Sequence, residues 1–188
     1  MKLLLHTCCA PCSLSVVPFL LKEGIAPDLF WFNPNIHPYT EYKARRDCLI
    51  DYANEMGLSV KVKENYGLRE FVKAVAADID SRCKHCYYVR MLETAKFAKE
   101  NGYDAFSTTL LCSPYQDHEG IKRAGEALAN EFGIEFLYRD FRPNFRECNN
   151  KAREKGFYMQ KYCGCIFSEE DRYQKQILRD KERFTLDK

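Results

Sequence analysis

Ten cysteines stand at positions 8, 9, 12, 48, 83, 86, 112, 148, 163 and 165, and seven of them fall into three tight groups. The groups are Cys8-Cys9-Ala10-Pro11-Cys12, Cys83-Lys84-His85-Cys86 and Cys163-Gly164-Cys165. A two-residue gap lets the thiolates of Cys83 and Cys86 face one metal, while nearby backbone amides donate to the sulfurs and stabilise their charge. The glycine between Cys163 and Cys165 opens backbone angles that help two closely spaced sulfurs converge. A helix starting near Pro11 would turn its amino end toward Cys9 and Cys12, lowering thiol pKa and favouring the ligating thiolate.

Three chemistries use thiols in this way. Structural zinc takes four thiolates, and Cys83, Cys86, Cys163 and Cys165 would satisfy it, leaving the first group unexplained. An iron–sulfur cluster also takes four, and seven clustered thiols then leave three for a second metal or for redox work. A thioredoxin-like pair at Cys9 and Cys12 is the third, and the doubled Cys8-Cys9 and the two remote groups count against it. Disulfide crosslinking is the weakest reading: a chain of 188 residues with 46% hydrophobic residues builds a core without it. Cys48 and Cys148 have no cysteine neighbour and read as packing residues. Cys112 falls in a loop near the expected site and is an outside candidate. His6 and His37 read first as hydrogen-bonded structural histidines, with a proton or substrate contact open to them by position. His85 and His118 read as solvent-exposed.

The elements that must position these groups are legible from periodicity. Residues 2–7 form a short apolar run, and 13–22 follow with helical spacing at Leu14, Val17, Leu20 and Leu21. Glycines at 24, 57, 102, 133 and 156 each follow a helical segment and precede an apolar residue, the pattern of left-handed C-caps. Further strands are expected at 29–32, 58–62, 105–108 and 134–137, and helices at 39–56, 68–77, 87–100, 118–132 and 144–155. Such alternation implies an α/β fold with a mostly parallel sheet and helices on both faces, Rossmann-like or nucleotide-hydrolase-like. The segments after the first, second and fourth strands would open on one carboxyl edge, where such folds place their sites. One α/β domain over 1–167 is expected, with a charged helix over 168–188 packed on it or extending from it.

Composition excludes several classes. With 30% charged residues and 26 aromatics, the chain is neither disordered nor fibrous. No apolar run approaches a bilayer span, and the opening Met1-Lys2-Leu3-Leu4-Leu5 is interrupted at His6, so a cytoplasmic protein with no membrane partner is expected. A net charge of +2 neither demands nor forbids a polyanionic partner. Two stretches, 39–46 and 138–146, interleave aromatics with cations, a composition suited to phosphate contact and base stacking and equally to a solvated helix face. Arg45, Arg46, Arg142 and Arg146 are the cations this reading would place against RNA.

Five motifs in order, His6-Thr7-Cys8-Cys9-Ala10-Pro11-Cys12, Asn33-Pro34-Asn35-Ile36-His37-Pro38 with Tyr39, Arg82-Cys83 to Cys86, Tyr138-Arg139-Asp140-Phe141 and Tyr162-Cys163-Gly164-Cys165, resemble the epoxyqueuosine reductase family of the QueH type. The resemblance spans about residues 3–167 and leaves the final helix outside. It implies a cobalamin-independent metalloenzyme that reduces epoxyqueuosine in tRNA to queuosine, the last step of queuosine biosynthesis. It also implies a [4Fe-4S] cluster with an adjacent mononuclear iron, held within Cys8, Cys9, Cys12, Cys83, Cys86, Cys163 and Cys165. The partners would be tRNA carrying epoxyqueuosine and a ferredoxin- or flavodoxin-like electron donor. On this reading the substrate ring sits at a mouth formed by segments 8–12, 33–39 and 112–117, with His37, Tyr115, Asp117 and Asp140 as candidates for proton delivery. The other functional class the residues allow is a zinc-stabilised nucleotide- or RNA-binding module without redox activity.

Overall fold

The structure, a computed structural model, describes residues 1–184. Five strands alternate with seven helices: β1 (Leu3–His6), α1 (Ala10–Lys22), β2 (Asp28–Trp31), α2 (Tyr39–Met56), β3 (Val60–Val62), α3 (Leu68–Val75), α4 (Arg82–Glu100), β4 (Ala105–Thr108), α5 (His118–Phe132), β5 (Glu135–Phe136), α6 (Phe145–Glu154) and α7 (Ile166–Phe184). All pairings are parallel and the strand order is β3-β2-β1-β4-β5. The central strands β1 and β4 are buried throughout, as a sheet covered on both faces requires, and the polar side chains at their carboxyl ends, among them His6 and Ser107, are hydrogen-bonded. Register places Leu5 between Leu29 and Ser107, and His6 between Phe30 and Thr108.

Strand order reverses between β1 and β4. The first two crossovers run outward toward β3, and the later ones run outward toward β5. Right-handed crossovers then put the two sets of helices on opposite faces. The packing agrees, since α1 lies against α2 and α6 while α4 lies against α5. The gap between β1 and β4 is thus a topological switch point, and the carboxyl ends of these strands deliver His6, Thr7, Cys8, Thr108 and Thr109 to it.

The five capping glycines adopt φ between 59° and 76°, as the C-cap pattern demands. Two expectations about elements are corrected. Helix α4 begins at Arg82 rather than at 87, because 82–86 contain no helix breaker, so Cys83 and Cys86 lie in its first turns instead of before it. Arg45 is 1% exposed and turned into the protein, not toward an RNA face. The sequence pattern misses this because a cation is normally read as the wet side of a helix. Helix α7 starts at Ile166 and none of its described residues is buried. Among the described residues, no helix is long and apolar enough to cross a membrane.

Candidate metal centre at the carboxyl edge of the sheet

The first cysteine group is built into the core. Cys9 is the N-cap residue of α1 with extended backbone, and Pro11 occupies the first turn, where its fixed φ suits a helix start. Cys8, Cys9 and Cys12 are all buried, and their Sγ atoms lie within 4.8 Å of one another, close enough to share a metal. Neighbours from three strand ends fix them. The Cys8 amide donates to Thr109 Oγ1 (3.2 Å), and the Thr109 hydroxyl points at Cys8 Sγ (3.5 Å). Asn33 Nδ2 donates to the Thr7 carbonyl (2.9 Å). That leaves Asn33 Oδ1 to accept from His6 Nε2 (3.2 Å), while His6 Nδ1 meets the Thr108 hydroxyl (2.9 Å). Burial holds the His6 pKa down, to about 3, with Arg90 adding to the effect, so this imidazole is a neutral strut.

Three thiols this close cannot all be anions. The thiol of Cys8 falls well below its ordinary value, because Cys12, Cys9 and then Thr109 hydrogen-bond its anionic form. Burial pushes Cys9 well up. Cys12 is raised too, first by its hydrogen bond with the fully buried Cys112. The expectation that the helix amino end would lower Cys9 and Cys12 is therefore corrected: desolvation and neighbouring sulfur outweigh the dipole, and the one favoured anion is Cys8.

The other two groups come from α4 and from the turn before α7. Cys86 and Cys165 are buried and pack with Phe71 and Val75, whereas Cys83 and Cys163 are exposed. The 163–165 turn is pinned from both sides. Arg45 Nη1 and Nη2 donate to the carbonyls of Cys163 (2.8 Å) and Tyr162 (3.0 Å), and Arg45 Nε donates to the buried carboxylate of Glu41 (2.7 Å). The His37 amide donates to the Gly164 carbonyl (2.8 Å), and the Tyr162 hydroxyl donates to the His37 carbonyl (2.6 Å). A Cβ at Gly164, whose φ is 156°, would sit 3.2 Å from Ile36 Cγ1. Glycine lets the turn approach the 33–38 loop without displacing the Ile36 side chain.

Arg90 contacts the second group and lies within electrostatic reach of the other two. It is 2% exposed, donates through Nε to the Cys86 carbonyl (3.0 Å) and points Nη2 at Cys86 Sγ (3.0 Å). Among the described residues no carboxylate pairs with it; its electrostatic partners are Cys86, Cys163 and Cys8, one from each group. A buried, unpaired guanidinium is costly unless anions surround it. Thiolates supply them, so the donor set suits a thiolate-held metal centre. Burial otherwise pushes the Cys86 thiol up to about 12, with Arg90 opposing.

Further polar contacts reach the sulfurs. Gln160 Nε2 donates to Cys9 Sγ (3.2 Å), and Gln116 Nε2 approaches Cys163 Sγ (3.5 Å). The Tyr87 hydroxyl contacts the Cys83 thiol and accepts from the Asp117 amide (3.2 Å). Arg90, Gln160, Thr109 and Tyr87 were not singled out from sequence. A signal existed for Arg90, which lies one helical turn after Cys86.

The four proton-delivery candidates do not share one environment. His37 is fully buried and neutral, its Nε2 donating to the Pro34 carbonyl (3.1 Å) and its Nδ1 accepting from the Ile166 amide (3.4 Å); both nitrogens serve to join loops. Asp117 caps α5 by accepting from the Gly120 amide (2.9 Å). Asp140 is paired with Arg142 (2.7 Å), which holds its carboxyl down, to about 2. Tyr115 is 86% exposed and touches the protein through its backbone amide and ring. His118, expected in solvent, is buried and hydrogen-bonded to the Tyr138 hydroxyl (3.0 Å). Cys148 packs in the core and Cys48 lies half-buried against it, as expected of packing residues.

Fold and site together define an α/β protein with a thiol-built, cation-centred site at the switch point of a parallel sheet. Residues 3–171 match the family described as Epoxyqueuosine reductase QueH, and the chain belongs to that family. Relatives named Epoxyqueuosine reductase QueH include one from Dehalococcoides mccartyi, 37% identical over 93% of this chain and 96% of its own. Another, from Thermotoga maritima, is 34% identical over 92% of each chain. A third, from Staphylococcus epidermidis, is 32% identical over 89% of this chain and 76% of its own. The family match continues into the first residues of α7, further than the sequence motifs alone reach. This membership does not favour a zinc-stabilised binding module without redox activity.

Proposed function

We propose that this protein is an epoxyqueuosine reductase acting on tRNA, in which a [4Fe-4S] cluster and an adjacent iron are held within Cys8, Cys9, Cys12, Cys83, Cys86, Cys163 and Cys165 and cobalamin is not used. The observation that carries the reading is Arg90, a buried cation with no carboxylate partner among the described residues, set against Cys86 Sγ (3.0 Å) and within electrostatic reach of Cys163 and Cys8. Both C–O bonds of the epoxide break, the ring carbons become doubly bonded, and two electrons and two protons carry the oxygen off as one water. When bound, such a centre supplies electrons singly and a Lewis-acidic position for the departing oxygen.

The chain's own residues prepare the place. Arg90 sets a fixed positive charge where thiolates and a developing alkoxide would otherwise repel each other. Thr109 and Gln160 donate toward Cys8 and Cys9, and the strand ends beneath them exclude water. Cys83 and Cys163 are exposed, which brings this side of the centre within reach of a ferredoxin- or flavodoxin-like carrier. Of the four proton-delivery candidates Tyr115 best suits the task, since His37, Asp117 and Asp140 are committed to loop, cap and ion pair.

Two measurements test the proposal. Anaerobically purified protein should contain about five iron and about four acid-labile sulfide per chain. Reduced enzyme with tRNA carrying epoxyqueuosine should yield a nucleoside lighter by one oxygen in mass spectrometry. Stoichiometric zinc without labile sulfide in an active preparation would overturn the metal assignment. Fully metallated enzyme that binds this tRNA and removes no oxygen would overturn the activity.

A further inference from the structure

Helix α7 carries an apolar line that is largely uncovered among the described residues. Ile166, Tyr173, Ile177 and Phe184 follow one another at intervals of 7, 4 and 7 residues. At 3.6 residues per turn they fall within about 40° of one another around the helix. Ile166, Ile177 and Phe184 are 38%, 48% and 67% exposed, and Tyr173 is half-buried. The helix is fastened to the body from another side, where Phe167 packs against Phe71 of α3 and Asp171 pairs with Arg82 of α4. Those anchors stand about 100–140° round the helix from the apolar line, so fastening α7 leaves most of the line at the surface. The family match ends at residue 171, so Tyr173, Ile177 and Phe184 lie beyond it. We propose that α7 is a pairing element, which docks antiparallel on α7 of a second copy of this chain.

The charges beside the line select the occupant. Glu169, Arg172, Asp180 and Arg183 flank it on one side, and Glu170 and Lys181 on the other. Within one chain Glu169, Arg172, Asp180 and Arg183 have no ion-pair partner among the described residues, and the Arg183 guanidinium lies over the ring of its neighbour Phe184 (5.0 Å). A two-fold axis across the helix near residues 175 and 176 sets Glu169 of one copy opposite Arg183 of the other and Arg172 opposite Asp180, and on the far flank it sets Glu170 beside Lys181. Tyr173 then meets Ile177, and Ile166 meets Phe184. Each contact is made twice, because the same face serves both copies. A parallel pair would set Glu169, Glu170 and Asp171 against themselves. A polyanion such as RNA would meet Glu169 and Asp180 on the flank and leave the apolar line without a partner. Glu170 and Asp180 approach each other near the seam, where acidic side chains cost affinity and fix the register. The contact runs along one helix and falls short of the roughly 800 Å² per partner of a standard interface, so the dimer is reversible.

The experiment measures the mass of the full-length, anaerobically loaded protein by sedimentation and light scattering over a range of concentrations. Wild type should pass from one chain to two as concentration rises. Ile177→Glu, at an exposed position, should remain a single chain while thermal midpoint and iron content stay at the wild-type values. Glu169→Arg and Arg183→Glu should each weaken association roughly 10-fold, since symmetry counts every altered pair twice. The double variant carrying both reversals should recover the wild-type association, because the antiparallel register sets these two positions against each other. Wild type that stays a single chain up to about 0.5 mM would overturn the proposal. So would a dimer that survives Ile177→Glu, which would place the interface elsewhere. A double reversal no better than either single one would overturn the antiparallel register. Loss of tRNA binding in Ile177→Glu with no change in mass at any concentration would give the face to RNA instead. Mass is read without substrate, so the outcome is independent of whether the reductase reading holds.

Discussion

The Cys8-to-Cys12 group and the Cys163–Cys165 turn, both assigned to the proposed centre, are held by opposite means. The first is part of the core, with its thiols buried at the junction of β1 and α1 and hydrogen-bonded to strand ends that cannot move without disturbing the sheet. The second is a surface turn, tied down by Arg45, His37 and Tyr162 through hydrogen bonds to backbone atoms. One half of the centre is therefore set by folding itself, and the other is added by a clasp. A site built this way can stay closed at its base while its outer residues, Cys83 and Cys163, stand at the surface toward metal delivery and an electron carrier.

The clasp is the place to break the comparison. Arg45→Met would leave Glu41 buried with only the Tyr158 hydroxyl and the turn carbonyls without their donor. Removing one partner of a buried pair costs about 3–5 kcal/mol, so the thermal midpoint should drop sharply. Metal bound through Cys163 and Cys165 should go with it. Retention of stability and full iron content in Arg45→Met would show that the turn needs no clasp. Serine at any of the seven grouped cysteines should cost iron, since a hydroxyl is a poor substitute for a thiolate. The two halves should then differ on reconstitution: Cys163→Ser, exposed, recovers part of its iron with excess iron and sulfide, and Cys12→Ser, buried, does not. Equal recovery would erase the distinction drawn here.

Arg90 sharpens it from the centre. In the metal-free protein this guanidinium is a buried charge facing mostly protonated thiols, and replacing it with a methionine of similar bulk should leave stability unchanged or raise it by about 1–4 kcal/mol. In the loaded protein the same change should weaken iron retention and move the reduction potential to more negative values, because a hydrogen bond and a positive charge at a ligating sulfur both favour the reduced form. A midpoint potential equal to wild type would remove Arg90 from the site's electrostatics.

Much of this is legible in the sequence. The alternation of apolar runs and glycine-capped helices gave the parallel sheet, and β4, α2 and α5 lie where periodicity places them. Cysteine spacing located the site's chemistry. What the sequence hides are pairings across long separations and any polar residue used against type. Arg45 meets the Cys163 carbonyl and Arg90 comes within electrostatic reach of Cys8 only after the sheet is assembled, and both are cations in the interior. The start of α4 was misplaced because a Cys-x-x-Cys stretch is read as a metal knuckle before it is read as helix. His37 looked available because loop histidines often are, yet its two nitrogens hold loops together.

His6 gives a pH handle on the inner half. Its folded-state pKa is about 3 against an unfolded value of 6.5, so the unfolded chain binds more protons through that interval. Its contribution to stability is present above 6.5 and is lost as pH falls toward 3. Metal-free wild type should therefore lose up to about 1.4 kcal/mol per pH unit more than His6→Gln between pH 6 and 4, read from urea midpoints. Parallel curves for the two proteins would mean that His6 is not held neutral.

The smallest expected effect concerns RNA affinity at the surface, where the outer half would meet the tRNA backbone. Four arginines are candidates by sequence, and their surroundings separate them. Arg45 is interior and contributes nothing to a phosphate contact. Arg46 is matched by Asp47 (2.8 Å) and Glu64 (2.7 Å), and Arg142 by Asp140 (2.7 Å), so each must exchange a carboxylate for a phosphate on binding. Arg146 is exposed. The salt slope is set by counterions released from the RNA as its phosphates are neutralised, and a cation paired with a carboxylate neutralises a phosphate only by giving up that partner. Arg146→Ala should therefore lower the slope of log affinity against log salt by about 0.7, the value for one contact to a single strand, and Arg46→Ala and Arg142→Ala should each lower it by less. A slope change in Arg46→Ala as large as that in Arg146→Ala would show that the ion pairs open before the RNA arrives and that the basic face extends along α2.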